Sequence, residues 1–225
     1  MAGPLKKCYR CNEEAETREH VPPRCFLIPA GFTENLLTVP SCEKHNNGNS
    51  QEVEKVKAMI ASSIHTNELA EGPVLESVNR SFRRRPHLIA KTYGQVVDVL
   101  YNGEQTGAFD LDFKALAKVM ASIAHGVYFW HFKKHFYGRW HIVSTQAVTL
   151  NVQSEEMRRK QLLRNRMFEA FGYQDLPLPN PRVFRCGLYR ESDLRVIFRF
   201  CFFEGLIIHA VGIPFWVVDP RFRVT

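Results

Sequence analysis

The pattern of apolar and polar positions predicts a helix after residue 49. Apolar side chains recur there every three or four residues, which places them along one face of a helix. They are Val53, Val56, Met59, Ile60 and Ile64. Asn49 precedes them as a candidate N-cap, and Glu52 follows three residues later, which is the spacing of a capping box. We therefore expect a helix to follow residues 42–45 directly.

The strongest helical pattern in the chain begins near residue 110. Its apolar positions also fall on one face. They are Leu116, Val119, Met120, Ile123 and Val127. Asp110 or Asp112 is the expected N-cap, because a carboxylate there accepts a hydrogen bond from the first helical turn. A third, more charged helix is predicted from Ser154 to Phe171, where a glycine and several prolines follow.

Strand-forming residues dominate the last part of the chain. Residues 193–218 are dense in β-branched and aromatic side chains, and Glu204 with Gly205 interrupts them. This pattern predicts a C-terminal β-hairpin. Between residues 71 and 109 the helical periodicity weakens, and an Asn102–Gly103 pair marks a turn. We interpret that region as a short two-stranded insert.

These elements predict an α+β fold in two parts. Residues 1–65 are rich in turns and carry two closely spaced pairs of metal-ligating residues, which indicates a small metal-stapled unit. Residues 66–225 are expected to form a mixed helical domain with the C-terminal β-hairpin. Binding of a nucleic acid or of a protein partner is one role open to this second part.

Composition is consistent with a folded protein that binds a polyanion. Of the 225 residues 45% are hydrophobic and 12% are aromatic, which is enough for a core and excludes a disordered chain. The formal charge of +7 favours a polyanionic partner. The basic residues cluster at 83–85, at 133–134 and at 158–160 with Arg164 and Arg166. Each cluster fits a phosphate contact or a solvated surface equally well.

The expected compartment is the cytoplasm. The N-terminal segment has no apolar core of a signal peptide, and charged residues interrupt the apolar stretches near the C-terminus, so we expect no membrane association. Six cysteines in an intracellular chain of this size favour metal binding or burial over disulfides.

The spacing of four residues predicts a structural zinc site. Cys8 and Cys11 form one pair with a two-residue gap, and Cys42 and His45 form another. Zinc takes four thiolate or imidazole ligands in a tetrahedron, and such pairs bind one ion from a tight turn. Unliganded cysteines or a redox pair are the alternatives. The stretch between the pairs has few large apolar residues, so a bound metal would supply much of its stability.

Three short segments resemble the HNH endonuclease family over about the first 60 residues. They are CYRC at residues 8–11, EHVPP at residues 19–23 and CEKHN at residues 42–46. The resemblance implies a ββα-metal unit in which two zinc-binding pairs flank a pair of an acid and a histidine. It also implies metal-dependent hydrolysis of DNA phosphodiesters, in settings such as restriction, mobile elements or defence against phage.

Chemistry and resemblance together indicate three catalytic residues. Hydrolysis needs a base that deprotonates water, and His20 suits that role. Glu19 and Asn46 offer the oxygen ligands that a catalytic Mg²⁺ or Mn²⁺ prefers. The second zinc pair departs from the family in having His45 where cysteine is common. Asn35 is the only candidate for the asparagine that orients the base.

Other assignments stay open from the sequence. Asn47, Asn49 and Glu52 compete with Asn46 at the start of the helix, and DNA is the expected partner although RNA, a homo-oligomer or a regulatory subunit is also compatible. Glu19–His20 in a simple turn would leave a non-catalytic zinc module that binds nucleic acid or protein. Convergence of His20 and Asn46 on one cavity discriminates between these hypotheses.

Three weaker hypotheses complete the set. His131 and His135 are spaced to share one helix face and to chelate a second metal, although no carboxylate accompanies them. Cys25 and His20 are close enough in sequence to suggest a nucleophile and its base. In the third hypothesis the C-terminal part carries the function, and the zinc unit is an interaction tag.

Overall fold

Two antiparallel strands and three helices form the N-terminal part of the computed structural model, which describes residues 7–101, 103–146, 155–191 and 195–215. Strands β1 and β2 pair from Thr17 opposite Ser41 to His20 opposite Thr38. The elements in order are β1 (Thr17–His20), α1 (Arg24–Leu27), β2 (Thr38–Ser41), α2 (Glu43–Asn47) and α3 (Ser50–Ala61). The helix expected after residues 42–45 is therefore present as α2 and α3. Ile64 lies beyond its end.

A helical layer and a two-stranded insert follow. Its elements are α4 (Leu75–Arg84), α5 (His87–Tyr93), β3 (Val96–Tyr101), β4 (Glu104–Phe109) and α6 (Phe113–Phe132). Strands β3 and β4 confirm the predicted insert, and Gly103 in their turn has a φ of 87°, which glycine adopts without steric cost. Asn102 of the predicted turn lies outside the described residues.

Helices α4 and α5 were not predicted from the sequence. A π-helical turn at Ala70–Val74 leads into α4 and contains Pro73, which lies inside the helix. Proline has no backbone N–H to donate, and it lies here where the regular α-helical hydrogen bonding is replaced by a π turn. Pro86 lies at the N-cap position of α5. Pro86 therefore marks a helix start, whereas Pro73 lies inside a helix. The predicted two-stranded insert is present, but it covers only the last part of residues 71–109, and α4 and α5 precede it.

The C-terminal part is one antiparallel sheet with a helix against it. Its elements are β5 (Gly138–Ser144), α7 (Glu155–Ala170), β6 (Gln174–Asp175), β7 (Phe184–Arg190), β8 (Val196–Phe202) and β9 (Leu206–Pro214). The predicted hairpin is present as β8 and β9, which reverse through Phe203–Gly205. It is the centre of a five-stranded sheet in the order β5-β9-β8-β7-β6, so a terminal hairpin describes only two of the strands.

Helix α6 connects the two parts of the molecule. Every predicted apolar position on it is buried, and its N-cap Asp112 accepts a hydrogen bond of 2.9 Å from the backbone nitrogen of Ala115. The helix packs against α3 and β2 and against β5 and β9. Its buried face belongs to one hydrophobic core that runs from Cys8 to Ala210. The division of the chain into two domains at residue 65 remains a prediction, and the buried residues on both sides of it belong to the same core.

The caps of the other two predicted helices differ in detail. Asn49 occupies the N-cap position of α3, but its side chain donates a hydrogen bond to Ser122 and caps nothing. Glu52 forms an ion pair with Lys118 instead of closing a capping box. Helix α7 ends one residue before the predicted end, and Ser154 at its predicted start lies outside the described residues.

In the described ranges of the chain, no helix is both long and apolar enough to cross a membrane.

Gly126 allows α6 to approach the end of β1. A Cβ at this position would lie 2.6 Å from Cγ2 of Val21. We therefore expect Gly126→Ala to lower the free energy of unfolding by about 1–3 kcal/mol, since an extra methyl group in a packed core forces neighbours apart. Urea unfolding measures the change. Gly172→Ala is the control, because nothing lies within 4 Å of its Cβ.

The Gly126→Ala substitution should cost less in a Val21→Ala background, because the clashing methyl groups are then absent. Equal costs in both backgrounds would contradict the close approach.

His209 on β9 should make stability fall in mild acid. It is 3% exposed and stacks on Phe168 with ring centroids 4.3 Å apart. Burial, with a smaller contribution from Arg199, lowers the pKa of His209 from 6.5 to about 4. The unfolded chain therefore binds a proton that the folded chain does not, and the free energy of unfolding decreases as pH falls through that window.

Comparison of the wild type with His209→Gln isolates this effect. Between pH 6.5 and about 4, the wild type should lose about 1 kcal/mol per pH unit more than the variant, in urea unfolding at several pH values. Parallel curves would show that His209 is not the group responsible.

Candidate metal centre and candidate active site

The four predicted zinc ligands come together in the structure. Nδ1 of His45 lies 3.4 Å from Sγ of Cys8, 3.4 Å from Sγ of Cys11 and 3.3 Å from Sγ of Cys42. The Sγ atoms of Cys11 and Cys42 are 3.8 Å apart. A tetrahedral zinc with bonds of about 2.3 Å to sulfur and about 2.0 Å to nitrogen requires edges of about 3.8 Å and about 3.5 Å. The donor set therefore fits a metal ion such as zinc.

Backbone contacts hold the ligands in place. The backbone nitrogen of Tyr9, between the first two ligands, donates to the carbonyl of Pro40 on β2 at 2.7 Å. Cys42 is the N-cap residue of α2, and His45 lies within that helix. Nε2 of His135 lies 2.7 Å from the carbonyl oxygen of Cys8. Both pairs are thus anchored to β2, α2 and the segment that follows α6.

The environment of the Cys11 thiol is one that a cation at this cluster would compensate. Burial raises the pKa of the Cys11 thiol to about 11. The thiolate is the form that binds zinc, and a positive ion compensates the cost of forming it in a desolvated place. Metal binding should therefore release protons and stabilise the fold together.

The predicted catalytic residues line one cavity beside the metal centre. Its volume is about 310 Å³, and Glu19, His20 and Asn46 all contribute to its wall. Asn46 follows the ligand His45 directly, so the metal centre positions the helix that carries it. His20 and Asn46 thus line one cavity, which a non-catalytic module would not require.

Glu19 has a carboxylate oxygen with no partner. The residue lies in β1 opposite Val39. Its Oε2 atom is buried, and no hydrogen bond from the described residues reaches it. Burial raises the pKa of this carboxyl to about 7. Buried carboxylates are ordinarily paired or bound to a metal, so this unsatisfied oxygen, on a residue that lines the cavity, calls for a partner.

A second buried oxygen lies near this carboxylate. The hydroxyl of Tyr9 is buried and has no hydrogen bond that satisfies normal geometry among the described residues. Burial and the nearby Glu19 charge raise the pKa of the Tyr9 phenol, so it stays protonated. A negative group and a neutral donor are therefore combined on this side of the molecule.

His20 is the last residue of β1 and precedes a cis Val21–Pro22 peptide bond. Burial, with Arg24 and Arg18, lowers the pKa of the imidazole. Its ring nitrogens form no hydrogen bond within the described parts of the chain. A neutral imidazole with a free nitrogen is the form that accepts a proton from water.

Asn46 is held by the strand that it faces. Its Nδ2 donates to Oγ1 of Thr17 at 3.0 Å, and that hydroxyl donates to the carbonyl of Ser41 at 3.0 Å. The nitrogen of the amide is therefore engaged, and the amide oxygen is left for a ligand. This hydrogen bond ties α2 to β1 across the cavity.

The sequence analysis missed a polar network behind the cavity. Ser122 on α6 lines the cavity and accepts hydrogen bonds from Arg10 at 3.0 Å and from Asn49 at 2.8 Å. The network joins the first zinc pair, the start of α3 and the middle of α6. A serine between Val119 and Ile123 was the available signal, because it interrupts the apolar face of α6.

The competing asparagines and Glu52 are arranged differently. Asn35 lies in an exposed turn with a φ of 52° and is not part of the cavity wall. Asn47 is also exposed and outside the wall. Glu52 pairs with Lys118 at 2.6 Å. Asn49 lines the cavity but is engaged with Ser122, which leaves Asn46 as the better candidate.

Neither a second metal site nor a cysteine nucleophile gains support from the geometry. Helix α6 ends at Phe132, so His131 and His135 do not share a helix face. Cys8, Cys11, Cys42 and His45 form the candidate metal group found in the described ranges. Cys25 lines the cavity, but burial raises the pKa of its thiol to about 11, which disfavours the nucleophilic thiolate.

No protein-family model, curated protein or solved structure matches this chain. The resemblance to the HNH family therefore rests on the order of a few residues in the sequence. The geometry adds a group of three cysteines and a histidine that fits a metal, and a neighbouring cavity in which the expected residues meet.

Substitution of a ligand should remove the metal. We expect about one zinc per chain in the purified wild type and a large loss of zinc in Cys42→Ser, because three ligands bind zinc far more weakly than four. Elemental analysis measures the zinc content, and thermal unfolding should show a lower Tm.

Cys25→Ser is the matched control, since it removes a partly buried thiol outside the cluster. It should retain the metal. Equal zinc content in the two variants would contradict the assignment of the ligands.

Proposed function

We propose that the chain is a metal-dependent endonuclease of the HNH type that hydrolyses phosphodiester bonds of DNA. One observation carries the proposal. Glu19 lines the same cavity as His20 and Asn46, its buried Oε2 has no partner among the described residues, and Asn46 directly follows a residue of the candidate metal cluster. A purely structural strand would have no reason to leave a buried carboxylate oxygen unsatisfied.

His20 is the general base in this proposal. It removes a proton from the attacking water, for which its lowered pKa and its free ring nitrogens are suitable. It is the last residue of β1, directly before the segment that contains Pro22. Arg18 and Arg24 lie close enough to lower its pKa and would attract the phosphate of the substrate.

Glu19 and Asn46 are the residues that would hold a catalytic Mg²⁺ or Mn²⁺. Their carboxylate and amide oxygens match the preference of these cations for few protein ligands and several waters. Such an ion, when bound, neutralises the charge that develops on the phosphate oxygens. Thr17 orients Asn46 through the hydrogen bond to its nitrogen, so the amide oxygen faces the ligand side.

The zinc is structural in this proposal. All four positions of a tetrahedron are filled by Cys8, Cys11, Cys42 and His45, so no position remains for water or substrate. Its role is to keep β1 and α2 together, with Glu19 on one element and Asn46 on the other. Restriction or defence against phage in the cytoplasm is the setting that the resemblance suggests for such an enzyme.

Cleavage of supercoiled plasmid with Mg²⁺ or Mn²⁺ tests the proposal. We expect nicking by the wild type and a loss of about 10²- to 10⁴-fold in His20→Ala, which is the range that a general base contributes. Glu19→Gln should also lose activity, because it removes the charge that a cation needs while it keeps the shape of the side chain.

His141→Ala is the matched control, since His141 is an exposed histidine on β5 outside the cavity. All variants are compared at equal zinc content. Equal activity of His20→Ala and the wild type would refute the assignment of the base. Absence of nicking by the wild type with either metal would contradict the proposal and favour a zinc module that binds without cleaving.

A further inference from the structure

A large groove lies next to the candidate active site. Its volume is about 880 Å³, and helices α3, α4, α5 and the start of α6 form its walls. It shares Cys25 and Glu54 with the cavity that contains Glu19 and His20. The two spaces are therefore neighbours along the surface of α3, and we call the larger one the basic groove.

The carboxylates of the basic groove are all neutralised within it. Six lysines and arginines but only three carboxylates line the walls. The ion pairs are Glu52–Lys118 at 2.6 Å, Glu54–Arg85 at 3.2 Å and Asp112–Lys55 at 2.6 Å. Each carboxylate is thus matched by one cation, and the groove keeps an excess of positive charge.

Three lysines supply this excess. Lys57, Lys91 and Lys114 line the groove, and no carboxylate in the described part of the chain lies within 4.0 Å of their Nζ atoms. Lys91 and Lys114 are exposed and lie on different helices of the wall, α5 and α6. They present two cations to anything that enters between the helices.

Lys57 places a third cation deeper in the groove. Its side chain is partly buried, and Nζ donates a hydrogen bond to Oγ of Ser77 at 2.8 Å. A hydroxyl compensates only part of the cost of desolvating an ammonium group, so an anion at this point would stabilise the lysine. An anionic ligand is therefore favoured inside the groove as well as at its rim.

The walls provide little for the recognition of bases. Phe82 is the one aromatic ring of Phe, Tyr or Trp type among the lining residues, and it packs edge-on against Tyr93 with centroids 5.7 Å apart. Binding of single strands usually combines cations that follow the backbone with rings that stack on bases. Only the first component is present here, which indicates contact with phosphates and little sequence preference.

We propose that the basic groove binds one strand of nucleic acid through its phosphates and leads it toward the cavity of Glu19 and His20. A concave groove with a partly buried cation suits a single chain of phosphates better than a duplex, whose phosphates need an open surface. The direction of the strand toward the cavity rests on the proposed function. The binding itself does not.

Fluorescence anisotropy tests the binding separately from cleavage. The probe is a short, fluorescein-labelled single-stranded DNA of mixed sequence, titrated with the zinc-loaded protein without added divalent metal. We expect Lys91→Gln/Lys114→Gln to bind about 10-fold more weakly than the wild type. The slope of log Kd against log salt should fall by about 1.4, because each phosphate that a lysine neutralises on a single strand adds about 0.7 to it.

Lys134→Gln/Arg159→Gln is the matched control. It removes two charges from exposed positions outside the groove, in two of the basic clusters that the sequence singles out. It should bind the probe like the wild type. Equally weakened binding in the control would assign binding to general surface charge and overturn the proposal. Thermal unfolding of both double variants confirms that they are folded.

The outcomes separate this inference from the proposed function. Unchanged binding in Lys91→Gln/Lys114→Gln would overturn the assignment of the basic groove as the binding site, even if His20→Ala abolishes nicking. Weakened binding in that variant supports the groove, even if no plasmid is cleaved. Tighter binding of the duplex of the same sequence, abolished in the same variant, would overturn the assignment of a single strand.

Discussion

The N-terminal part depends on one constraint, which is that two pairs of candidate metal ligands more than 30 residues apart in sequence lie together. Cys8 and Cys11 lie before β1, whereas Cys42 and His45 lie at the start of α2, and their donor atoms are close enough together to bind a single metal ion. Strands of four residues have little pairing energy of their own, and closing a long loop costs entropy. A metal ion held by these four residues would supply what this short sheet lacks.

Helix α6 packs against both the N-terminal part and the C-terminal sheet. It carries Ser122, on which Arg10 and Asn49 converge, and Gly126, which admits Val21 at close range. Its other contacts reach the five-stranded sheet through β5 and β9. The cavity of Glu19 is therefore walled by an element from outside the segment that resembles a nuclease. Substitutions that move α6 should therefore alter the wall of the candidate active site.

Charge is distributed unevenly over the two neighbouring cavities. The small cavity is lined by Glu19, whose buried Oε2 has no partner among the described residues, and by His20, and the basic groove contains cations in excess of carboxylates. Under the proposed function, a cation would bind in the first and a phosphate chain in the second, so that the ion and the substrate would be attracted to adjacent places.

The sequence by itself determined the features that depend on local spacing. Two-residue gaps brought each pair of zinc ligands onto one turn, a period of three and four residues marked α6, and Glu204–Gly205 marked the reversal between β8 and β9. Each of these signals is local, because neighbouring residues alone decide whether such a turn or helix can form. They indicated the four candidate ligands and Glu19 with His20, and they narrowed the cap of α6 to Asp110 or Asp112, of which the structure has Asp112.

Only the tertiary structure decided how these pieces meet. The five-stranded sheet joins β5 to β9 over some 70 residues of chain, and no local pattern in β5 or β7 announces its partner. Helices α4 and α5 were not recognised because each is associated with a proline, which usually interrupts a helix: Pro73 lies in the π turn that leads into α4, and Pro86 is the N-cap residue of α5. The basic groove and the contacts of Ser122 arise from side chains far apart in sequence. Their placement depends on packing around α6, and packing is a property of the whole chain.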